Sequence, residues 1–63
     1  MPVITVEGRK IEIEIKRRLV KELTEAAAKA YGLPKEVIVV LIKENSPDNV
    51  GVGGELLSDR KSK

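Results

Sequence analysis

Proline follows Met1 directly and stands ahead of a β-branched run in the opening stretch MPVITVEGRK. A proline here can be purely structural, because a strand tolerates proline at its first residue. It can also act chemically: once Met1 is removed, Pro2 carries a free secondary amine, a base that no side chain supplies. Taken alone, Pro2 favours the structural interpretation, so the surrounding sequence has to decide between the two.

Two carboxylates, Glu12 and Glu14, stand a short distance further along the chain. They could form an acid–base pair or bind a hard metal ion. The neighbouring lysines and arginines favour a different interpretation, in which both are surface ion pairs on a helix. We therefore expect Glu12 to pair with Lys16 and Glu14 with Arg18, four residues on, and we expect no metal site.

Length and composition exclude several kinds of protein. The chain has 63 residues and neither cysteine nor histidine, which excludes disulfides, thiolate or imidazole zinc sites, and catalysis by either side chain. We expect one domain spanning residues 1–63 and no cofactor. A chain of this length buries only about 60% of its unfolded surface and is marginal alone, so we expect self-association to stabilise it.

The charge balance argues against nucleic acid and membrane partners. Twelve basic and ten acidic residues give a net charge of +2, and there is a single aromatic residue. The basic stretches KRR (16–18) and RKSK (60–63) lack the aromatic side chains on which bases stack. No apolar stretch approaches the ~20 residues of a membrane span, and no signal peptide is recognisable. We expect a soluble protein in the cytoplasm.

Hydrophobic periodicity predicts a strand, a helix and a second strand. The first strand is expected over Pro2–Val6, ended by Glu7-Gly8. A helix is expected from about Glu12 to Tyr31, with Gly32 and Pro34 ending it. Its apolar stripe is predicted as Ile11, Ile15, Leu19, Leu23, Ala26, Ala27 and Ala30.

The second strand is expected over Val37–Ile42, where six consecutive apolar residues suggest burial on both faces. The order strand, helix, strand implies two parallel strands. One helix covers only one face of such a sheet, so another subunit has to cover the other. The glycines at 51, 53 and 54 predict a C-terminal hairpin, and the tail at 58–63 is expected to fray.

Several of these features together resemble the 4-oxalocrotonate tautomerase family. They are Pro2, the Glu7-Gly8-Arg9 stretch, the single long helix, the restart at Pro34, and the VGVGGEL sequence of residues 50–56. The resemblance covers essentially the whole chain. It implies an α/β fold, a βαβ unit with a C-terminal hairpin, and a homohexamer built as a trimer of dimers.

The resemblance also implies a reaction. Pro2, freed of Met1, would be the general base in keto–enol tautomerisation of an unsaturated 2-oxo or 2-hydroxy acid of the 2-hydroxymuconate type, a step of aromatic compound catabolism. An α-amino group ordinarily has a pKa of ~7.7–8, and a proline amine a higher one. Burial beside cations would bring the pKa of Pro2 towards neutrality, where a general base works best. Arg9 matches the family's first arginine and would hold the substrate carboxylate, and Lys10 could reach the same space.

This chain departs from the family pattern at two substrate-binding positions. Val39 stands where better-known members carry a second arginine, and Val50 stands at the aromatic wall. The first strand is shorter, as in an archaeal-type branch of the family. Two hypotheses follow: a proline-based tautomerase with an altered substrate grip, or a non-catalytic oligomeric binding or structural module with a degraded site.

Overall fold

The computed structural model describes residues 1–60 of the chain. Strands β1 (Val3–Gly8) and β2 (Val39–Glu44) form a parallel pair joined through helix α1 (Ile13–Tyr31). Strands β3 (Gly51–Val52) and β4 (Glu55–Leu56) form an antiparallel hairpin. This arrangement confirms the predicted βαβ unit with its C-terminal hairpin.

Strand β1 is longer than the sequence predicted. The expected break at Glu7-Gly8 is wrong, because both residues continue the parallel ladder, with Glu7 opposite Lys43 and Gly8 opposite Glu44. The added length carries Arg9 to the far end of the sheet from Pro2.

Strand β2 begins two residues later than predicted and ends two residues later. The turn after Pro34 is a short 3-10 helix, Lys35–Val37, in which the Val37 amide donates to the Pro34 carbonyl at 3.2 Å. Val37 is therefore used in the turn, and its β-branched side chain misled the prediction. The pairing of Lys43 and Glu44 with β1 extends the strand at its other end.

Helix α1 begins and ends as the sequence predicts. Gly32 stops it in the left-handed conformation, with φ at 69°, and its amide donates to the Ala28 carbonyl at 2.9 Å. Left-handed backbone favours glycine, because a side chain there meets the following carbonyl. Among residues 1–60, no helix has both the length and the apolar character of a membrane span.

The inward face of α1 is only partly the predicted stripe. Leu19, Leu23 and Ala27 are half-buried as expected, whereas Ile15 is exposed. A stripe built mainly on steps of four drifts around a helix that has 3.6 residues per turn, so it leaves the packed face at both ends. Ala26 and Ala30 are exposed as well, and the half-buried positions are Lys16, Leu19, Val20, Leu23, Thr24, Ala27 and Ala28.

The two ion pairs predicted at the start of α1 do not form. Lys16 lies on the inward face and reaches across to Glu44 of β2, with 2.7 Å between Nζ and Oε2. Glu14 pairs with Arg17, three residues on, instead of Arg18. The interpretation of Glu14 as a surface ion pair holds, with a different partner.

Nothing within residues 1–60 covers one face of the sheet. Ile4 and Val6 of β1 and Ile42 of β2 are half-buried on the side of α1, which contacts β2. On the other face Val3 is 56% exposed and Leu41 50%. No side chain among residues 1–60 is fully buried, and the radius of gyration, 15.1 Å, exceeds the roughly 11 Å of a compact domain of this length. Residues 1–60 of one chain do not complete a hydrophobic core.

The C-terminal hairpin turns through Gly53 and Gly54, both at positive φ (64° and 86°), as a two-residue turn of the primed type requires. Arg60 contacts both strands of the hairpin. Its Nη2 donates a hydrogen bond to the Val52 carbonyl at 3.2 Å, and its Nε donates one to the Glu55 carboxylate at 3.3 Å. The predicted fraying of residues 58–60 is therefore wrong, because a short 3-10 helix, Leu57–Asp59, leads into this contact. The rest of the predicted frayed tail, residues 61–63, lies outside the described residues.

Candidate active site

Pro2 lies at the head of β1, where it is half-buried. Its carbonyl oxygen accepts a hydrogen bond of 3.1 Å from the amide of Val39. Met1 precedes it and is 86% exposed. With Met1 attached, the Pro2 nitrogen is a tertiary amide without a basic lone pair. Without Met1 the same nitrogen is an amine at the edge of a hydrogen-bonded sheet.

Val39 is the first residue of β2 and lies opposite Val3 in the ladder. By the alternation of a strand, its side chain shares a face with that of Leu41, the face that α1 does not cover. We call Pro2 and Val39 the proline end of the sheet. The side chain at this strand position is apolar, so any charge on a substrate bound there has to be met by another residue.

Arg9 and Lys10 lie at the opposite end, just after β1. With Ile11, Glu12 and Ile15 they line a surface cleft of about 510 Å³. The Arg9 guanidinium donates one hydrogen bond, from Nη1 to the Lys10 carbonyl at 3.3 Å. Its other N–H groups remain available for a second acceptor, because a guanidinium has five donors.

Val50 joins Arg9 at this end. Both residues line a second cavity of about 300 Å³, together with Glu7, Gly8, Asn45, Pro47 and Leu57. The Leu57 amide holds Val50 through its carbonyl, at 2.8 Å. We call Arg9, Lys10 and Val50 the arginine end. A carboxylate near Arg9 would therefore have an apolar wall beside it.

The structure does not bring Pro2 and Arg9 together within one subunit. The whole of β1 separates them, and at about 3.3 Å per residue the separation is roughly 20 Å. The sequence resemblance placed both residues on one substrate. A base and a carboxylate-binding cation this far apart can serve one small molecule only if they come from different subunits.

Two residues that the sequence reasoning missed hold the arginine end in place. Glu44 accepts hydrogen bonds at Oε2 from the Ile11 amide (3.3 Å) and from Lys16 (2.7 Å). The hydrogen bond from Lys16 is the main cause that lowers the pKa of the Glu44 carboxyl, and the hydrogen bond from the Ile11 amide is the second. The backbone N–H of Asn45 donates a hydrogen bond to the Gly8 carbonyl at 2.8 Å. No local pattern could reveal these partners, because 33 positions separate Ile11 from Glu44.

Comparison with known proteins identifies the class. The family model described as tautomerase enzyme matches residues 2–60. A Bacillus cereus protein named as a probable tautomerase is 43% identical over 63 residues, covering 95% of this chain and all of its own length. The chain therefore belongs to the tautomerases, and within them to the 4-oxalocrotonate tautomerase family.

Solved structures agree with this assignment. The crystal structure of DmpI from Archaeoglobus fulgidus is 45% identical, with a TM-score of 0.85 over 92% of this chain and all of the other. A 4-oxalocrotonate tautomerase homologue superposes with a TM-score of 0.90 at 36% identity, covering 98% of this chain and 100% of its own. Family membership supports a tautomerase-type isomerase function. The archaeal-type branch within the family stays a prediction.

Proposed function

We propose that this chain catalyses keto–enol tautomerisation of an unsaturated 2-oxo or 2-hydroxy acid, with the amine of Pro2 as general base. The base removes the proton from the enol hydroxyl and returns it to a carbon of the conjugated system. Loss of Met1 is required, because an amide nitrogen cannot accept the proton. A secondary amine with a pKa near neutrality both accepts and releases a proton readily.

The observation that carries this proposal is the anchoring of Pro2. Its carbonyl is held by the Val39 amide at 3.1 Å, and the residue is half-buried at the head of a paired strand. A base fixed on a sheet loses little conformational entropy when a substrate binds. A frayed terminus would lack this advantage.

We further propose that the site is completed between subunits of a cytoplasmic homohexamer, a trimer of dimers. Arg9 of a neighbouring subunit would supply the cation that Pro2 lacks, since roughly 20 Å separates the two within one chain. The uncovered face carrying Val3 and Leu41 supports assembly, because apolar side chains on a sheet are stabilised by a second layer.

The proposed substrate grip follows from the charges. Arg9, with Lys10 beside it, would bind the carboxylate next to the 2-oxo group. It would also stabilise the negative charge that develops on the oxygen of that 2-oxo group. Val39 and Val50 offer apolar contact in place of a second cation and an aromatic wall. A monocarboxylic enol with an apolar tail suits such a site better than a dicarboxylate, whose far carboxylate would lose water without gaining a partner.

Enol-to-ketone turnover tests the proposal, with 2-hydroxymuconate and phenylenolpyruvate as substrates and protein that intact mass shows to begin at Pro2. We expect activity on both and a higher kcat/KM on phenylenolpyruvate. Pro2→Ala should keep part of the activity, because it leaves a primary amine. No turnover by correctly processed protein on either enol would favour the non-catalytic module.

A further inference from the structure

We propose that Glu44 is a positioning residue that fixes the segment carrying Arg9 and Lys10, and so sets where the Arg9 guanidinium meets a substrate. The inference rests on the proposed function, because it takes Arg9 as the cation that binds the substrate. Glu44 itself would not touch the substrate, and its effect would pass through the backbone at Ile11.

The backbone contacts define the segment. At its start, the Gly8 carbonyl accepts a hydrogen bond of 2.8 Å from the backbone N–H of Asn45. At its end, the Ile11 amide donates to Glu44 Oε2 at 3.3 Å. Only Arg9 and Lys10 lie between the two anchors. Glu44, the last residue of β2, and Asn45, which follows it, thus hold the two ends of a two-residue span, which leaves its backbone little freedom.

The charge around Glu44 explains how its carboxylate stays in place. Lys16 of α1 approaches the same oxygen, with 2.7 Å between Nζ and Oε2, and the two side chains are 28% and 27% exposed. Glu44 therefore joins the first turn of α1 to the end of β2, and the Ile11 amide attaches the Arg9–Lys10 segment to this pair. Ion pairs among residues 1–60 use neither Arg9 nor Lys10. A substrate carboxylate would therefore not have to displace a protein carboxylate from either cation.

The segment also lies where a small displacement matters. Arg9 lines both the cleft of about 510 Å³ and the cavity of about 300 Å³ that it shares with Val50. Misplacing a binding group by about 1 Å can cost as much as 100-fold in rate. Release of the Ile11 anchor would let the Arg9 backbone move relative to Val50, which the Leu57 amide holds separately.

The kinetic test compares Glu44→Ala, Glu44→Gln and the control Glu36→Ala, an exposed carboxylate in the turn before β2. With phenylenolpyruvate and protein beginning at Pro2, we expect Glu44→Ala to lower kcat/KM about tenfold, through whichever of kcat and KM Arg9→Ala changes. Glu44→Gln should recover most of this loss, because its amide oxygen still accepts from Ile11. Glu36→Ala should behave as wild type. Glu44→Gln with a kcat/KM as low as that of Glu44→Ala overturns the proposal.

Repeating the comparison in an Arg9→Ala background separates positioning from general destabilisation. If Glu44 acts through Arg9, Glu44→Ala should reduce kcat/KM little further once the guanidinium is gone, because the two effects are coupled. An equal loss with and without Arg9 would show a merely structural role and overturn the inference.

Hydrogen exchange of the Ile11 amide, followed by NMR, tests the hydrogen bond to Glu44 independently of enzyme activity. We expect faster exchange in Glu44→Ala and wild-type exchange in Glu44→Gln and Glu36→Ala. Unchanged exchange in Glu44→Ala refutes the anchor. If wild-type protein beginning at Pro2 turns over neither enol, the proposed function fails, and the Ile11 exchange still decides whether Glu44 holds the segment.

Discussion

The amide of Val39 donates a hydrogen bond of 3.1 Å to the carbonyl oxygen of Pro2. The bond fixes Pro2 at the head of β1 and makes no use of its nitrogen. Removal of Met1 therefore leaves the anchor in place and exposes an amine on a paired strand. The same residue, Val39, supplies an apolar side chain where better-known family members are expected to carry an arginine. In the proposed function, its backbone would support the base and its side chain would disfavour a second carboxylate on the substrate.

Val39→Arg should improve the binding and turnover of dicarboxylates. The substitution keeps the backbone bond to Pro2 and adds a guanidinium at the proline end. We expect kcat/KM on 2-hydroxymuconate to rise roughly tenfold or more, because a hydrogen bond to a charged group contributes about 1.5–3 kcal/mol. Phenylenolpyruvate should gain nothing. Val39→Leu, as the apolar control, should leave 2-hydroxymuconate turnover low; an equal rise in both variants would contradict the assignment of Val39.

Arg9→Ala should lower kcat/KM on both enols. The loss should fall mainly on kcat if Arg9 stabilises charge that develops in the transition state, and mainly on KM if it only anchors the carboxylate. Lys10→Ala is the matched comparison, one residue along the same segment. If Lys10→Ala is impaired and Arg9→Ala is not, the substrate cation is Lys10; if neither is impaired, the arginine end plays no part in turnover.

Leu41→Glu should weaken assembly. Leu41 is 50% exposed on the face without cover, and a carboxylate buried there by a second subunit would be desolvated without a partner. We expect light scattering at micromolar concentration to give a hexamer for wild type and smaller species for Leu41→Glu. Glu25→Lys, on the exposed side of α1, should remain hexameric. A stable, folded wild-type monomer would contradict the proposed assembly.

The Glu44 contacts should make part of the stability depend on pH. The hydrogen bond from Lys16 and that from the Ile11 amide lower the pKa of Glu44 below its ordinary value of 4.5. Its stabilising contribution is therefore complete above pH 4.5 and is lost as the pH falls through the lower, folded-state pKa. Thermal unfolding should show a lower Tm for Glu44→Gln than for wild type at neutral pH. The gap should shrink as the pH falls well below 4.5.

A gap that stays constant down to strongly acidic pH would refute this account of Glu44. Glu36→Gln serves as the control, because Glu36 is exposed and takes no part in the ion pairs found among residues 1–60. Its Tm should follow that of wild type throughout.

Local signals in the sequence predicted the elements well. The helix ends at Tyr31 because Gly32 adopts the left-handed conformation, and the hairpin forms because Gly53 and Gly54 both take positive φ. These choices depend on one or two residues and their immediate backbone. The prediction of the fold class succeeded for the same reason, since each element carried its own signal.

Interactions between distant residues could not be predicted in this way. Gly8 has the local character of a strand breaker, but its pairing with Glu44 keeps it in β1. Lys16 has Glu12 four residues before it, but β2 brings Glu44 close enough to form the ion pair instead. The separation of Pro2 from Arg9 is of this kind too, because it depends on how far β1 extends.

The most direct test of the central claim compares two proteins that differ only in what precedes Pro2. Intact mass first establishes that one preparation begins at Pro2 and that the other retains Met1 or a short tag. Turnover of phenylenolpyruvate and 2-hydroxymuconate is then measured for both. We predict that the preparation beginning at Pro2 is active and that the blocked one loses nearly all activity, each tenfold loss corresponding to about 1.4 kcal/mol in the barrier. Equal turnover by the two preparations would contradict the Pro2 amine as the base.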